Sequence, residues 1–218
     1  QPALEPVFRE FLPSCPIREL CPPDISQQEV FRRVSFQHIG KLTWDDLAAQ
    51  LMTHSQALCI VNTRKAAQAV YERLDSADRF HLSTLMYPNH RKQQLREIRR
   101  RLREGLPCRV VSTSLIEAGV DVDFPVVFRE TAGLDSILQS AGRCNREGKR
   151  SPAESVVRIF DGEEKIPPLF STAVGAGREV MARHKDISSS AAIQDYFERL
   201  LDLKGKDAQD EKRILSLI

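Results

Sequence analysis

Between residues 57 and 160 the chain alternates short apolar runs with longer amphipathic stretches, a rhythm that leaves few architectures open. Ala57-Leu-Cys-Ile-Val61, Phe80 to Thr84, Cys108-Arg-Val-Val-Ser112, Val126 to Arg129 and Ser155 to Phe160 have the length and content of buried strands. Between them, Ala66, Ala67, Val70, Tyr71 and Leu74, then Leu95, Ile98 and Leu102, recur at helical spacing, and Leu134 to about Arg143 reads as a further helix. Gly105 stops the second of these helices. Strands alternating with helices at this interval predict an α/β fold, a parallel sheet with helices on both faces. Upstream, Glu29 to Ile39 reads as a strand, and Thr43 caps a helix carrying Trp44, Leu47, Ala48, Leu51 and Met52.

The rest of the chain is organised differently. Residues 1–28 are rich in proline and form a linker or lead-in segment, residues 29–165 form the sheet-containing lobe, and residues 166–218 form a helical extension after Pro167-Pro168. Of 218 residues, 41% are hydrophobic and 28% charged, which excludes disorder throughout the chain. No apolar run approaches the roughly 20 residues of a membrane span, and Gln1-Pro2-Ala3-Leu4-Glu5 has no signal core. The expectation is a cytoplasmic protein without membrane contact, and, lacking an initiator Met, a piece of something longer. Five scattered cysteines without CxxC spacing read as reduced thiols, and a metal held by Cys15, Cys21 and His38 is not expected.

Four segments could carry chemistry. In Gln139-Ser-Ala-Gly-Arg143-Cys-Asn-Arg146-Glu-Gly148, a continuous helix puts Gln139, Arg143 and Arg146 on one polar face, opposite Leu134, Ile137, Leu138 and Ala141. Two guanidiniums so placed can grip phosphate oxygens, although a solvated surface helix has the same pattern. Val110 to Asp121 runs from a strand into a loop with Thr113, Glu117, Gly119 and Asp121, where ligands of open parallel sheets bind; a turn with Gly119 at positive φ accounts for it equally well. Asn62-Thr63-Arg64 opens a helix whose amides favour an anion, and a helix cap explains the same residues. Finally, Arg91 to Glu104 holds seven basic residues against two acidic ones in a chain whose net charge is only +2. Such a stripe can neutralise nucleic-acid phosphates, or can simply be solvated.

In this order and on this frame, the segments resemble the second RecA-like lobe of superfamily 2 helicases. Asn62-Thr63-Arg64 is similar to motif IV, Thr113 to Asp121 to motif V, and Gln139 to Gly148, of pattern QxxGRxxRxG, to motif VI. His81 to Arg91, Ser112 to Phe124 and Asp135 to Gly148 resemble more narrowly the CRISPR-associated DNA helicase-nuclease of type I systems, and Ile193 to Leu200 is similar to its linker region. The resemblance covers about residues 57 to 160 well and the flanks loosely.

It implies a lobe of a P-loop NTPase-like motor that moves 3′ to 5′ on single-stranded DNA. Arg143 and Arg146 would reach the ATP γ-phosphate across the interlobe cleft, Arg146 as the arginine finger. Gly119 and Asp121 would sit near the ribose, and Gln139 would couple the cleft to motif V. Asn62, Thr63, Arg64, Thr113 and Arg91 would meet nucleic acid. Implied cofactors are ATP and Mg2+, held mainly by an N-terminal RecA-like lobe, with nuclease metal ions in the full-length protein. Implied partners are that lobe, a histidine-aspartate (HD) nuclease domain, single-stranded DNA and a crRNA-guided surveillance complex, Cascade.

A Walker A loop, GxxxxGK[ST], and a Walker B acidic pair are missing, Asp210-Glu211 sits in a polar tail, and no His is followed by Asp. The chain alone is therefore expected to be inactive. Two competing readings are a lobe of another superfamily 2 motor, acting on RNA or in restriction, and a non-catalytic nucleic-acid-binding module.

Overall fold

A computed structural model describes residues 32–204, apart from residues 76 and 118. The expectations for the lead-in segment, Cys15, Cys21 and the polar tail beyond 204 lie outside the described residues. The chain divides into two units, residues 1–32 and 33–218, and every described element belongs to the second.

The elements of that unit run β1 (Ser35–Lys41), α1 (Trp44–Met52), β2 (Gln56–Ile60), α2 (Arg64–Arg73), β3 (Arg79–Leu82), α3 (Pro88–Glu104), β4 (Cys108–Ser112), β5 (Val126–Glu130), α4 (Leu134–Ala141), β6 (Val156–Asp161), α5 (Pro168–Arg183) and α6 (Ser190–Lys204). The six strands form one parallel sheet in the order β1-β6-β5-β2-β4-β3. Every residue of β2 and β5 is buried, as strands covered on both faces must be.

The pleat sorts those residues between two layers. Ala57, Cys59, Val111 and Phe128 face the apolar stripes of α1 and α2, including Leu47, Leu51, Ala67 and Val70. Leu58, Ile60, Val110 and Val127 face Ile98 of α3 together with Ile116, Phe124 and Cys144. Beyond the second layer, α4, α5 and α6 pack around Ile159, Val180 and Tyr196. The helices start where the sequence provides a cap: Thr43 Oγ accepts from Asp46 N at 3.1 Å, and Thr63 Oγ from Ala66 N at 3.0 Å. Pro88 opens α3, and Gly105, at φ 68°, closes it.

Two boundaries differ from expectation in ways that matter. β1 starts at Ser35, and residues 32–34 are not strand. More important, α4 ends at Ala141, so Arg143 and Arg146 are not on a helix.

Candidate nucleotide and nucleic-acid interface

The carboxyl ends of β2, β4 and β5 converge on a buried polar network centred on Glu117 and Arg129. Arg129 is 2% exposed, and its guanidinium donates to Asn62 Oδ1 at 2.8 Å, Glu130 O at 2.7 Å and Ser136 Oγ at 2.9 Å. Its Nε stands 3.1 Å from the Glu117 carboxylate as an ion pair without hydrogen-bond alignment. Ser136 and Ser140, both on α4, donate to the same carboxylate at 2.8 and 3.1 Å. Burial pulls the Arg129 guanidinium below its ordinary pKa, and Glu117 and Glu130 oppose that pull. The network thus joins Asn62 of the motif IV-like segment to Glu117 of the motif V-like loop and, through α4, to the motif VI-like segment. A cavity of about 240 Å³ opens on it, lined in part by Asn62, Glu117, Arg129, Ser136 and the exposed Gln139.

The segment after α4 turns back onto the loop before β5. Phe124 N donates to Arg143 O and Asn145 N to Phe124 O, a parallel bridge between Phe124 and Cys144. Asn145, at φ 47°, takes the left-handed conformation that Asn tolerates, and its side chain bonds to Arg33 and Arg150 backbone. This turn separates the two arginines that a continuous helix would have put side by side. The Arg143 side chain is buried and donates to Ile116 O at 3.0 Å and Glu117 O at 2.5 Å. Burial, with Arg146 in the same direction, lowers its pKa. Arg146 remains 43% exposed and pairs with Asp121 at 2.8 Å, while its backbone N–H donates to Asp123. Gly119 sits at φ 70°, in the turn that brings Asp121 there. Beside this pair lies a cavity of about 560 Å³ whose lining includes Arg99, Arg103, Asp121, Asp123, Lys149 and Arg150.

The other expected residues are spread along the carboxyl edge of the sheet. Asn62 is committed to Arg129 and to Thr131 O, and Thr63 caps α2 and reaches Glu164. Thr113 is buried at the end of β4, Arg64 is exposed at the start of α2, and Arg91 is half-buried in the first turn of α3. The basic stripe of α3 is partly neutralised. Glu97 holds Arg100 and Arg101, Glu104 holds Arg100, and Asp78 holds Arg101. Arg100 and Arg101 hold the Glu97 carboxyl well below the usual carboxylate range, at about 2. Among the described residues no three His, Cys, Asp or Glu side chains form a metal-binding group. His38 stands against Asp161 at 3.5 Å instead. Arg129, Ser136 and Ser140 were not among the expected site residues; the signal was an Arg-Glu pair closing the apolar run Val126-Val-Phe-Arg-Glu130.

The profile of the family described as CRISPR-associated nuclease/helicase Cas3, C-terminal, matches residues 53–149, the stretch that holds this network and both arginines. Over these residues the chain resembles a Cas3-type C-terminal helicase lobe. A curated CRISPR-associated nuclease/helicase Cas3 from Haloferax volcanii is 48% identical over 108 residues, 49% of this chain and 11% of that protein. The chain also superposes on a crystal structure of T. fusca Cas3-ATP, with a TM-score of 0.60 and 16% identity over 96% of this chain and 27% of the other. A chain of a CRISPR RNA-guided surveillance complex, pre-nicking, matches at a TM-score of 0.60 and 18% identity, over 85% of this chain and 27% of its own length. At these identities the structural likeness is one of fold, that of a RecA-like helicase lobe. Among the described residues no helix is long and apolar enough to cross a membrane.

Proposed function

We propose that this lobe is the second half of an ATP-dependent motor that moves 3′ to 5′ along single-stranded DNA within a CRISPR helicase-nuclease, with Arg146 as its arginine finger. The observation that carries the proposal is the unequal treatment of the two arginines. Arg143 is spent on the backbone of residues 116 and 117, which makes it a positioning residue that holds the motif V-like loop. Arg146 is presented at the surface by the Asn145 turn, its guanidinium paired with a carboxylate that is itself 75% exposed. An exposed ion pair contributes at most about 1 kcal/mol, so the guanidinium can exchange Asp121 for a phosphate oxygen at little cost. With Gly119 and Asp121 alongside, these residues fit one side of a nucleoside triphosphate.

The triphosphate and its Mg2+ would be held mainly by a first RecA-like lobe with a P-loop, and a guanidinium contributed across such an interface stabilises charge on the transferring phosphoryl group. Gln139, Glu117 and Arg129 would carry the change at the cleft to Asn62 and the strand-contacting residues Thr63, Arg64, Thr113 and Arg91. Further partners in this reading are an HD nuclease domain and a crRNA-guided complex in the cytoplasm, the latter supported by the neighbour seen in a surveillance complex.

The test is ATP hydrolysis stimulated by single-stranded DNA, measured for this chain alone and mixed with a separately produced first lobe. Silence alone, and activity in the mixture that Arg146→Ala abolishes, is expected. Turnover by the chain alone, or a mixture indifferent to Arg146→Ala, would overturn the assignment.

A further inference from the structure

The geometry points to a base-stacking contact for single-stranded DNA at Tyr87, with Leu85 as its apolar flank, on the loop between β3 and α3. This rests on the strand-binding reading above and adds to it a kind of contact that none of the motif-like segments provides.

The loop is built to hold these two side chains outward. Ser83 is buried, and its hydroxyl accepts from Leu85 N at 3.3 Å while its carbonyl accepts from Met86 N at 3.2 Å. Met86 packs inward against the core layer that contains Ile98. With Met86 pinned, its two neighbours are turned to solvent: Leu85 is 75% exposed and Tyr87 71%. Single exposed apolar residues are common. Two of them bracketing an anchored residue, on a loop fixed by backbone bonds, form a presented surface.

Aromatic and cationic groups accompany them. The ring of Tyr87 lies 5.9 Å from that of His90, and Arg91, half-buried one turn into α3, donates its backbone N–H to Tyr87 O at 3.1 Å. No ion pair ties up Arg91 among the described residues, in contrast to Arg100 and Arg101 further along the helix. A ring that a base can stack on, next to a cation that can neutralise a phosphate, is what sequence-tolerant single-strand binding uses.

The position fits as well. In the sheet β2, β4 and β3 are consecutive, so Asn62 and Thr63, Thr113, and then the Tyr87 loop leave adjacent strand ends, about 10 Å from first to last. The Ser112 hydroxyl bonds to Leu82 O at 3.2 Å and ties the last two strand ends together. A strand following this edge would place its backbone along the first two and a base against the third.

The experiment measures fluorescence anisotropy of labelled oligo(dT) with this chain at low salt, using wild type, Tyr87→Ala and Tyr87→Trp, and repeats it with an abasic oligonucleotide of equal length. Tyr87→Ala is expected to weaken oligo(dT) binding roughly 5- to 150-fold and to leave abasic binding unchanged. Tyr87→Trp should keep wild-type affinity and lose fluorescence when oligo(dT) binds, against the constant signal of the buried Trp44, the sequence's sole Trp. Binding of oligo(dT) that is equal in wild type and Tyr87→Ala, with the indole emission of Tyr87→Trp unaltered, overturns the stacking contact and leaves the strand-binding reading intact. No binding of oligo(dT) by the wild-type chain overturns that reading and the contact with it.

Discussion

Replacing Arg129 by Met tests whether the Glu117 network is what holds the three motif-like segments together. The substitution keeps an apolar stem of similar length and removes the guanidinium, which makes the 3.1 Å ion pair to Glu117 and the bonds to Asn62, Glu130 and Ser136. Glu117 would stay buried without its ion-pair partner, its carboxylate still accepting from the hydroxyls of Ser136 and Ser140. Breaking one side of a buried pair costs about 3–5 kcal/mol. For a domain of this size that lowers Tm by roughly 6–20 °C. Adding Glu117→Gln removes the stranded charge, so the double variant should be more stable than the sum of the single effects by about 1–3 kcal/mol. Urea unfolding followed by circular dichroism, on wild type, both single variants and the double, gives the cycle. A cost below about 1 kcal/mol for Arg129→Met, or strict additivity, would show that the network is not a unit.

Burial sets three further outcomes. It raises the Glu130 pKa above 4.5, more strongly than the Asn62 amide and Arg129 lower it. The folded state then binds that proton more tightly than the unfolded chain does, so this group's contribution to stability falls as pH rises through the window above 4.5. Glu130→Gln, whose amide oxygen can still accept from Asn62 N, should stabilise the chain at neutral pH and lose that advantage near pH 4 in parallel melts; an equal gain at both pH values contradicts the assignment. Burial holds the thiols of Cys108 and Cys144 up at about 12, and that of Cys59 higher still. Iodoacetamide at pH 8 followed by peptide mapping should therefore leave all three unlabelled until denaturant is added, and early labelling of any of them contradicts the packing. A methyl group on Gly133 would come within 2.5 Å of both Asp135 Oδ1 and the Tyr196 hydroxyl, which share a 2.7 Å hydrogen bond. Gly133→Ala should cost about 1–3 kcal/mol, and a melt unchanged from wild type would mean that α4 and α6 are not packed as described.

The elements were legible because buried parallel strands leave unbroken apolar runs: Ala57 to Val61 and Cys108 to Ser112 need no tertiary information to be recognised. Their faces were legible too, since Ala67, Val70 and Ile98 recur at helical spacing and are buried. The site was legible as a set of segments but not as a geometry. The end of α4 is set by bonds from Asn145 to Arg33 and Arg150, partners that periodicity does not reveal, so Arg143 and Arg146 were expected on one face and are not. Nor does composition show that Glu97, Glu104 and Asp78 take up Arg100 and Arg101. The Arg129 network joins residues up to 69 positions apart, and a strand that ends in buried charge was the only local trace of it.

If the turn after α4 gives the two arginines different tasks, anchoring for Arg143 and phosphate contact for Arg146, then removing each must fail in a different way. Single-turnover ATP hydrolysis by the reassembled lobes, with nucleotide affinity measured alongside, separates them. Arg146→Ala should lower the rate by about 10³-fold or more with nucleotide affinity and chain stability nearly unchanged, whereas Arg143→Ala should lower the chain's Tm. A rate for Arg146→Ala within about tenfold of wild type, or a loss explained by weaker nucleotide binding, would contradict that division of labour.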